Sequence, residues 1–299
     1  MSGTSPGSAK ILQHGASPRG WHRLQIAAEC LQKYAWHYQS PEGSPTGLKG
    51  RPALAKGSLI HLALAQHYAR MKARQQGTRE DEWCEPEEAV QLIAKVEGVE
   101  EFVSVVLRTF RAYVQHYAYD ESDWKIVDIE NLVSVTIGGK YLITGRLDLV
   151  VEDLTGRIFV WDHKSSSRLT ARHKQFYAVS GQLIGYSHMA RQTYGERFAG
   201  FIVNLIQLSA GPNDPFKADR VPLPRSPNME SRYEQTIVDL EESIERMKAS
   251  GRSFDNWPKA MNELTCFSRY GACDYINQCR HGYGASAAGN WTWIDDSKR

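Results

Sequence analysis

The sequence lacks long apolar runs and has no signature of nucleotide-driven motors. None of its 299 residues lies in a stretch approaching the ~18 uninterrupted apolar residues that a membrane span requires. The Ser/Gly/Pro-rich segment 1–20 has no apolar core of the kind found in signal peptides, and we expect a disordered tail there. No G-x-x-x-x-G-K-[ST] motif occurs. The lack of an apolar span predicts that the protein has no membrane partner. The lack of a signal peptide, together with the cysteine content, predicts a cytoplasmic protein. The lack of the P-loop motif means that any nucleotide-driven unwinding would come from a partner.

Cysteine is scarce, and its count of five is odd. An odd count without a secretory leader argues against a disulfide framework and indicates a reducing compartment. The net charge of +2 is small, so it neither favours nor excludes a nucleic-acid partner. Hydrophobic residues make up 41% and charged residues 23%, as in ordinary globular proteins. Fibrous, collagenous and wholly disordered classes are therefore excluded.

Hydrophobic spacing predicts helices in the first part of the chain and strands after Lys125. The predicted helices cover 24–38, 53–75, 87–119 (as one or two helices), 173–194 and 229–251, and the predicted strands cover 126–137, 141–152, 158–164 and 198–208. Residues 211–227 are rich in Pro and Gly, which predicts an irregular connection. This order favours an α/β fold in which a mixed central β-sheet is flanked by helices.

We expect a single domain over residues 21–285, between tails at 1–20 and 286–299. Its predicted parts are an N-terminal helical region 21–120, a core 121–210, and a C-terminal helix with a Cys-rich segment 228–282.

Two carboxylates and a lysine are the candidate chemical groups on the second and third predicted strands. Asp148 and Asp162 lie symmetrically about Thr155, so a hairpin centred there places them opposite each other, with Cβ atoms ~4.5–5.5 Å apart. Lys164 follows Asp162 by two residues and shares its sheet face. Carboxylates this close repel unless a cation lies between them, and their hard oxygens suit Mg²⁺ or Mn²⁺. From spacing alone, a solvated Asp–Lys face is the alternative.

The run Gly145-Arg146-Leu147-Asp148, followed by Asp162-His163-Lys164 and by Gln182 with Tyr186, resembles the core of the PD-(D/E)XK nucleases. Within that superfamily it is most similar to the RecB-like branch, which includes Cas4-type and AddB-type nucleases. The resemblance extends from Trp21 to His281 and implies a restriction-endonuclease-like core. It also implies metal-dependent hydrolysis of phosphodiester bonds.

The resemblance assigns roles to individual residues of this chain. The implied ligands of Mg²⁺ or Mn²⁺ are His61, Asp148, Asp162 and the backbone carbonyl of His163. The implied catalytic residues are Asp148, Asp162, Lys164, Gln182 and Tyr186. Lys164 would take part in activating water, and Gln182 and Tyr186 would lie near the scissile phosphate. Without the resemblance, a histidine beside Leu59 and Ile60 would be interpreted as a packed core residue.

The expected substrate is DNA, and a basic approach path is predicted just after the third strand. Its candidate residues are Arg168, Arg172 and Lys174, although a solvated helix start is an equal alternative. The resemblance implies an exonuclease acting on single-stranded or frayed DNA ends in recombination or repair, with a helicase or annealing protein as a possible partner. One alternative is a non-hydrolytic DNA-binding subunit of a repair, recombination or CRISPR-adaptation complex. Another is a zinc-containing hydrolase of a different class, in which the hairpin match is accidental.

A second candidate site consists of cysteines near the two ends of the chain. Its members are Cys30, Cys266, Cys273 and Cys279. Clustered thiolates suit a soft metal centre that needs four ligands. The resemblance implies a [4Fe–4S] cluster that ties the two ends together. Zinc remains an alternative, with four cysteines or with His281 replacing Cys30. Cys84 is expected to be a free loop thiol.

Overall fold

The structure is a computed structural model of the 299-residue chain. It describes residues 9–12, 17–40, 51–208, 211, 214–224, 226–268 and 271–282. The chain divides into two compact units. The first comprises Met1–His22 and Thr46–Val238, and the second comprises Arg23–Pro45 and Asp239–Arg299. The second unit thus brings together segments from near both ends of the sequence. The predicted tail 286–299 lies outside the described residues.

The helices and strands of the described residues are given separately, each in chain order. The helices are α1 (Trp21–Glu29), α2 (Leu31–Tyr38), α3 (Pro52–Gln75), α4 (Pro86–Glu97), α5 (Val103–His116), α6 (Asp120–Asp123), α7 (Ala171–Ala178), α8 (Gly181–Tyr194), α9 (Pro227–Ala249), α10 (Glu263–Cys266) and α11 (Ile276–His281). The strands are β1 (Lys125–Ile137), β2 (Tyr141–Glu152), β3 (Ile158–Ser166), β4 (Phe198–Gln207), β5 (Ala218–Leu223), β6 (Phe267–Ser268) and β7 (Gly271–Ala272).

The first unit contains a five-stranded sheet in the order β1-β2-β3-β4-β5. Neighbouring strands are antiparallel except β3 and β4, which are parallel and are joined through α7 and α8. This mixed sheet flanked by helices confirms the predicted fold class. The β2–β3 register pairs Leu149 with Trp161 and Glu152 with Ile158, which confirms a hairpin centred on Thr155. Asp148 and Asp162 lie one residue beyond the last of these pairs.

The main core of the first unit lies between the sheet and α3, α4 and α5. It buries Leu149 and Trp161 from the hairpin together with Leu64 from α3 and Phe110 from α5. Full burial of such side chains contributes roughly 1.5–3 kcal/mol each. The core therefore fixes α3 against the strands that carry the carboxylates.

Two predicted helices are each divided in the structure. The helix expected over 24–38 breaks at Cys30, whose extended backbone (φ −165°, ψ 116°) caps α2 while its Sγ accepts a hydrogen bond from the Lys33 amide. The helix expected over 173–194 breaks between α7 and α8. Periodicity alone missed both breaks because apolar spacing continues across them.

The connection expected to be irregular at 211–227 contains β5. This strand pairs with β4 alone in the described sheet, so it is an edge strand. Edge strands tolerate proline, here Pro222, and polar residues. Its sequence therefore lacked the apolar alternation that marks a half-buried strand.

The second unit places α2 against the segment that follows α9. The Gln32 amide donates to the Pro258 carbonyl at 2.9 Å, and the Gln32 side chain donates to the Phe254 carbonyl at 2.8 Å. Tyr34 stacks on Trp257 with ring centroids 6.0 Å apart. These contacts order a segment that is too short to form a core by itself.

Part of the expected N-terminal tail has defined contacts. The Lys10 amide donates to the Glu82 carbonyl at 2.7 Å, and the Cys84 amide donates to the Lys10 carbonyl at 2.9 Å. Cys84 is a free thiol outside the helices and strands, as predicted, but it is buried in a small cluster with Leu62 and Ala89. Within the described ranges, no helix combines the length and apolarity needed to cross a membrane.

Candidate active site

A cavity of about 390 Å³ lies in the first unit at the end of the β2–β3 hairpin. Its lining includes five of the residues predicted from the sequence or its resemblance: His61, Asp148, Lys164, Gln182 and Tyr186. They come from α3, β2, β3 and α8, so the fold collects residues that are far apart in the chain.

Asp162 and Lys164 form a close pair beside this cavity. The Lys164 Nζ lies 2.7 Å from Asp162 Oδ2. Asp162 is only 1% exposed, and its Oδ1 has no hydrogen-bond partner among the described residues. A buried carboxylate oxygen without a partner is costly, and a bound cation is one way to satisfy it.

Asp148 is held by the backbone of the neighbouring strand. The His163 amide donates a hydrogen bond to Asp148 Oδ2 at 2.8 Å. The D-x-K segment therefore contributes a backbone donor that orients the first carboxylate, in addition to its own Asp162 and Lys164.

His61 lies beside Asp148 because α3 approaches β3 closely. A Cβ atom on Gly57, one turn before His61, would be 3.3 Å from Ser165 Oγ. The His61 Nδ1 is 3.5 Å from Asp148 Oδ2. Burial, together with the Lys164 charge, lowers the pKa of His61 to about 4. The imidazole is therefore neutral at pH 7, which is the form that binds metals.

Burial and mutual repulsion shift the carboxylates towards their neutral forms. Burial, followed by repulsion from Asp148, raises the pKa of Asp162 to about 6, against the opposing effect of Lys164. Burial also raises the pKa of Asp148. Although burial disfavours the ammonium form of Lys164, Asp162 and Asp148 raise the pKa of that side chain. The cluster thus carries unfavourable negative charge that an additional cation would stabilise.

Gln182 and Tyr186 lie on one face of α8, as their spacing of four residues predicts. The Gln182 Nε2 donates to the Tyr186 Oη at 3.1 Å. A Cβ atom on Gly145 would lie 2.6 Å from Met189 Sδ and 3.0 Å from Tyr186 Cε1, so glycine permits this close approach of α8 to β2. Burial and the nearby Asp162 raise the pKa of Tyr186 to about 12, so the phenol is a hydrogen-bond donor at neutral pH.

Sequence reasoning placed neither Arg146 nor Glu130 among the site residues, but both line the cavity. Glu130 is 8% exposed and has a left-handed backbone conformation (φ 51°), which costs energy for a non-glycine residue. The β1–β2 register pairs the residues on either side of it, Ile129 with Leu149 and Asn131 with Leu147. Glu130 is therefore opposite Asp148.

A buried polar network lies behind the D-x-K segment. His163, Asn204 and Arg220 are register partners across β3, β4 and β5. The Asn204 Nδ2 is 2.8 Å from His163 Nδ1 and donates to Tyr113 Oη at 2.7 Å. Arg220 forms two hydrogen bonds of 2.6 Å with Asp120. This network fixes the His163 side chain, and His163 in turn supplies the amide that holds Asp148.

Two of the three residues of the predicted basic path are outside the cavity lining. Arg168 and Arg172 are exposed, in the loop after β3 and at the start of α7. Lys174 is in α7, and its side chain is outside the described part of the structure. Neither arginine is among the described residues that line the cavity. A basic surface path that leads DNA to the site therefore stays a prediction.

The four candidate cysteines lie around one cavity of about 60 Å³ in the second unit. The Cys273 amide donates to the Cys266 carbonyl at 2.8 Å, which keeps these two residues together. Burial raises the pKa of Cys273 and Cys279, so the thiolates need a positive partner. His281 is not among the described lining residues, whereas Cys30 is. The position of Cys30 favours the four-cysteine set over the set with His281.

Within the described ranges, no three His, Cys, Asp or Glu side chains are arranged to hold a single metal ion. The donor chemistry still fits the expected groups. Oxygen ligands and a neutral imidazole suit Mg²⁺ or Mn²⁺, and four thiols suit an iron–sulfur cluster or zinc.

The chain was compared with solved structures and with curated proteins. A crystal structure described as a "Putative exonuclease" from Eubacterium rectale is 12% identical, with a TM-score of 0.43, and the match covers 90% of this chain and 94% of that chain. The crystal structure of SSO0001 is 20% identical, with a TM-score of 0.28, over 54% of this chain and 70% of that chain. At these TM-scores, nothing about this chain follows from either likeness. No curated protein matches the chain.

A family model described as the PD-(D/E)XK nuclease superfamily matches residues 22–280. The match includes both strands of the carboxylate hairpin, so their resemblance to a nuclease core is not accidental. Members of this superfamily are phosphodiester hydrolases that typically use Mg²⁺ or Mn²⁺. The chain belongs to the PD-(D/E)XK nuclease superfamily.

Proposed function

We propose that this nuclease is a metal-dependent DNA exonuclease that acts on single-stranded or frayed ends during recombination or repair. The observation that carries the proposal is the arrangement around Asp162. Its buried carboxylate has an unpartnered Oδ1, lies 2.7 Å from Lys164 Nζ, and belongs to the same cluster as Asp148 and His61.

The residues proposed to hold Mg²⁺ or Mn²⁺ are Asp148, Asp162, His61 and the backbone carbonyl of His163. When bound, the ion would lower the pKa of a coordinated water and stabilise charge that develops on the phosphate. Asp148 is already oriented by the His163 amide, and His61 is already neutral. Little free energy is therefore needed to arrange these two ligands when a metal binds.

Lys164 is proposed to hold the attacking water and to stabilise the phosphate oxygens as negative charge develops on them. Its contact with Asp162 keeps the ammonium beside the ligand set. Gln182 and Tyr186 offer amide and phenol donors to the same cavity and are proposed to orient the strand. Arg146 lines this cavity as well, and its fixed charge suits a non-bridging phosphate oxygen.

The size of the cavity supports a single strand as substrate. A volume of about 390 Å³ is at the lower end of the ~300–1,000 Å³ found for small-molecule pockets. Such a cavity suits one nucleotide better than an intact duplex. Arg168, Arg172 and Lys174 are proposed to contact the backbone of the strand outside the cavity, where exposed cations favour DNA without reading its sequence.

The proposal is tested with single-stranded DNA labelled at its 5′ or its 3′ end. Wild-type protein with Mg²⁺ or Mn²⁺ is expected to release labelled nucleotides, and the label released first gives the polarity. Lys164→Ala and Asp162→Asn are expected to lose roughly 100-fold or more of this activity. Lys95→Ala, which removes an exposed lysine on α4, is the matched control. Binding without cleavage by wild type would instead support a non-hydrolytic accessory subunit.

We also propose that Cys30, Cys266, Cys273 and Cys279 hold a [4Fe–4S] cluster. The shared cavity supports this set, and the cluster would stabilise a short polar segment that cannot fold by burial alone. Protein purified without oxygen is expected to be brown and to contain about four iron and four sulfide atoms per chain. Cys279→Ser should lose the colour, whereas Cys84→Ser should keep it. One zinc per colourless chain would assign the site to zinc.

A further inference from the structure

The active-site cavity has an apolar and aromatic part that the proposed reaction does not use. It is formed by Trp21 and His22 at the start of α1 and by Ala53 and Leu54 in the first turn of α3. We infer that these four residues form a base subsite, in which the nucleobase next to the scissile phosphate stacks on Trp21 and contacts Leu54. This inference rests on the proposed nuclease function and adds the part of the substrate that the catalytic groups do not contact.

The exposure of these side chains supports a binding role. Leu54 is 52% exposed, and Trp21 is half-buried. A single exposed leucine on a protein surface needs no explanation. Here, however, the exposed leucine and the indole line the same cavity as two polar catalytic groups, Asp148 and Lys164. Apolar surface next to phosphate-binding chemistry matches the two halves of a nucleotide.

The Trp21 ring is held in place without a ligand. A Cβ atom on Gly181 would be 2.1 Å from Trp21 Cζ2, so the indole lies directly against the first residue of α8. The Tyr233 ring is 5.8 Å from the indole, with an interplanar angle of 40°. Gln182 is the next residue of α8 and lines the cavity. The indole is thus fixed beside a proposed catalytic residue, and a base that binds it immobilises no additional flexible side chain.

Stacking on an indole also explains a preference for unpaired DNA. Every nucleobase has a π-face, so stacking tolerates any sequence. A base inside a duplex is covered by its neighbours, and it must be unstacked at a cost before it can reach an aromatic side chain. A base in a single strand or at a frayed end is available at much lower cost. The base subsite therefore selects the end structure of the substrate and not its sequence.

The decisive experiment compares two enzymes on two substrates. One oligonucleotide is fully natural, and the other has an abasic site at the nucleotide whose removal is measured. For wild type, kcat/KM is expected to fall about 5- to 150-fold on the abasic substrate, as for loss of one stacked base. Trp21→Ala should show a similar fall on the natural substrate and little further loss on the abasic one. Trp21→Phe should retain most of the discrimination, which is the ratio of kcat/KM on the natural substrate to kcat/KM on the abasic one.

Controls separate this inference from the proposed function and from misfolding. Leu54→Ala is expected to reduce the discrimination, whereas Leu154→Ala, which removes a leucine that is 84% exposed outside the cavity, should not. Equal losses by Trp21→Ala on both substrates would overturn the base subsite while leaving the nuclease intact. If wild type cleaves neither substrate, the nuclease proposal fails. In that case, DNA containing the fluorescent base 2-aminopurine is bound to the Lys164→Ala variant. Quenching of its fluorescence, and loss of the quenching in the Lys164→Ala, Trp21→Ala double variant, would still support the base subsite. Absence of quenching in Lys164→Ala would refute it.

Discussion

Glu130 is expected to make the metal-free protein less stable as the pH rises. Burial, followed by repulsion from Asp148, raises the pKa of Glu130 to about 9, from an ordinary value of 4.5. The folded protein therefore keeps this carboxyl protonated at neutral pH, while the unfolded chain releases the proton. Because the folded state binds more protons, the free energy of unfolding falls as the pH rises between 4.5 and about 9.

The size of this effect follows from the proton difference. One proton corresponds to ~1.36 kcal/mol per pH unit, so the free energy of unfolding should fall by about 2 kcal/mol between pH 7 and 8.5. Burial lowers the pKa of His61 and of His67 to about 4. The stability that these two histidines contribute is present above pH 6.5 and is lost only as the pH falls towards 4. They therefore add little to the change above pH 7.

Glu130→Gln is the matching perturbation, since glutamine has nearly the same shape and resembles the neutral acid. Urea unfolding in EDTA, followed by circular dichroism at pH 7 and 8.5, gives the free energy for each protein. The wild type should lose about 2 kcal/mol relative to Glu130→Gln over this range. The exposed variant Glu101→Gln should follow the wild type. Parallel pH dependences for wild type and Glu130→Gln would refute the reasoning.

Three further substitutions test the packing around the site by urea unfolding. Gly145→Ala places a Cβ atom 2.6 Å from Met189 Sδ, so we expect a loss of about 1–3 kcal/mol, and unchanged stability would contradict this close approach. Asn204→Leu removes the amide that donates to Tyr113 Oη, so the free energy of unfolding is expected to fall by about 1–3 kcal/mol. The fall would be smaller if a water molecule replaced the amide. Arg220→Met leaves the buried partner carboxylate of its ion pair uncompensated, and a loss of about 3–5 kcal/mol is expected; a neutral result would show that this pair is not needed.

The sequence predicted the hairpin and the fold class well because their signals are local. Alternation with period two marks β2, whose predicted bounds 141–152 match the structure. The gap between the predicted strands 126–137 and 141–152 contains Gly138 and Gly139, whose positive φ values suit a hairpin turn. The predicted bounds of the helices were less accurate, because the breaks at Cys30 and between α7 and α8 interrupt apolar patterns that continue on either side. The edge strand β5 was missed because it has little apolar alternation.

The candidate active site was predicted only in part, and the reason is the distance between its residues along the chain. Asp148, Asp162 and Lys164 could be grouped by counting residues across one hairpin. His61 was included through the resemblance, since its own surroundings in the sequence indicate an ordinary core residue. Glu130 was not among the predicted site residues, because its inward position depends on a left-handed backbone conformation that sequence spacing does not show.

The sequence by itself thus determined which groups face each other across the β2–β3 hairpin, because side chains alternate with period two and the turn fixes the register. Only the tertiary structure decided what surrounds them. The packing of α3 on the sheet brings His61 to Asp148, and the close approach at Gly181 brings Trp21 to the start of α8. The fold of the second unit brings Cys30 to the three C-terminal cysteines. These contacts join segments far apart in sequence, and burial of many distant side chains sets their positions.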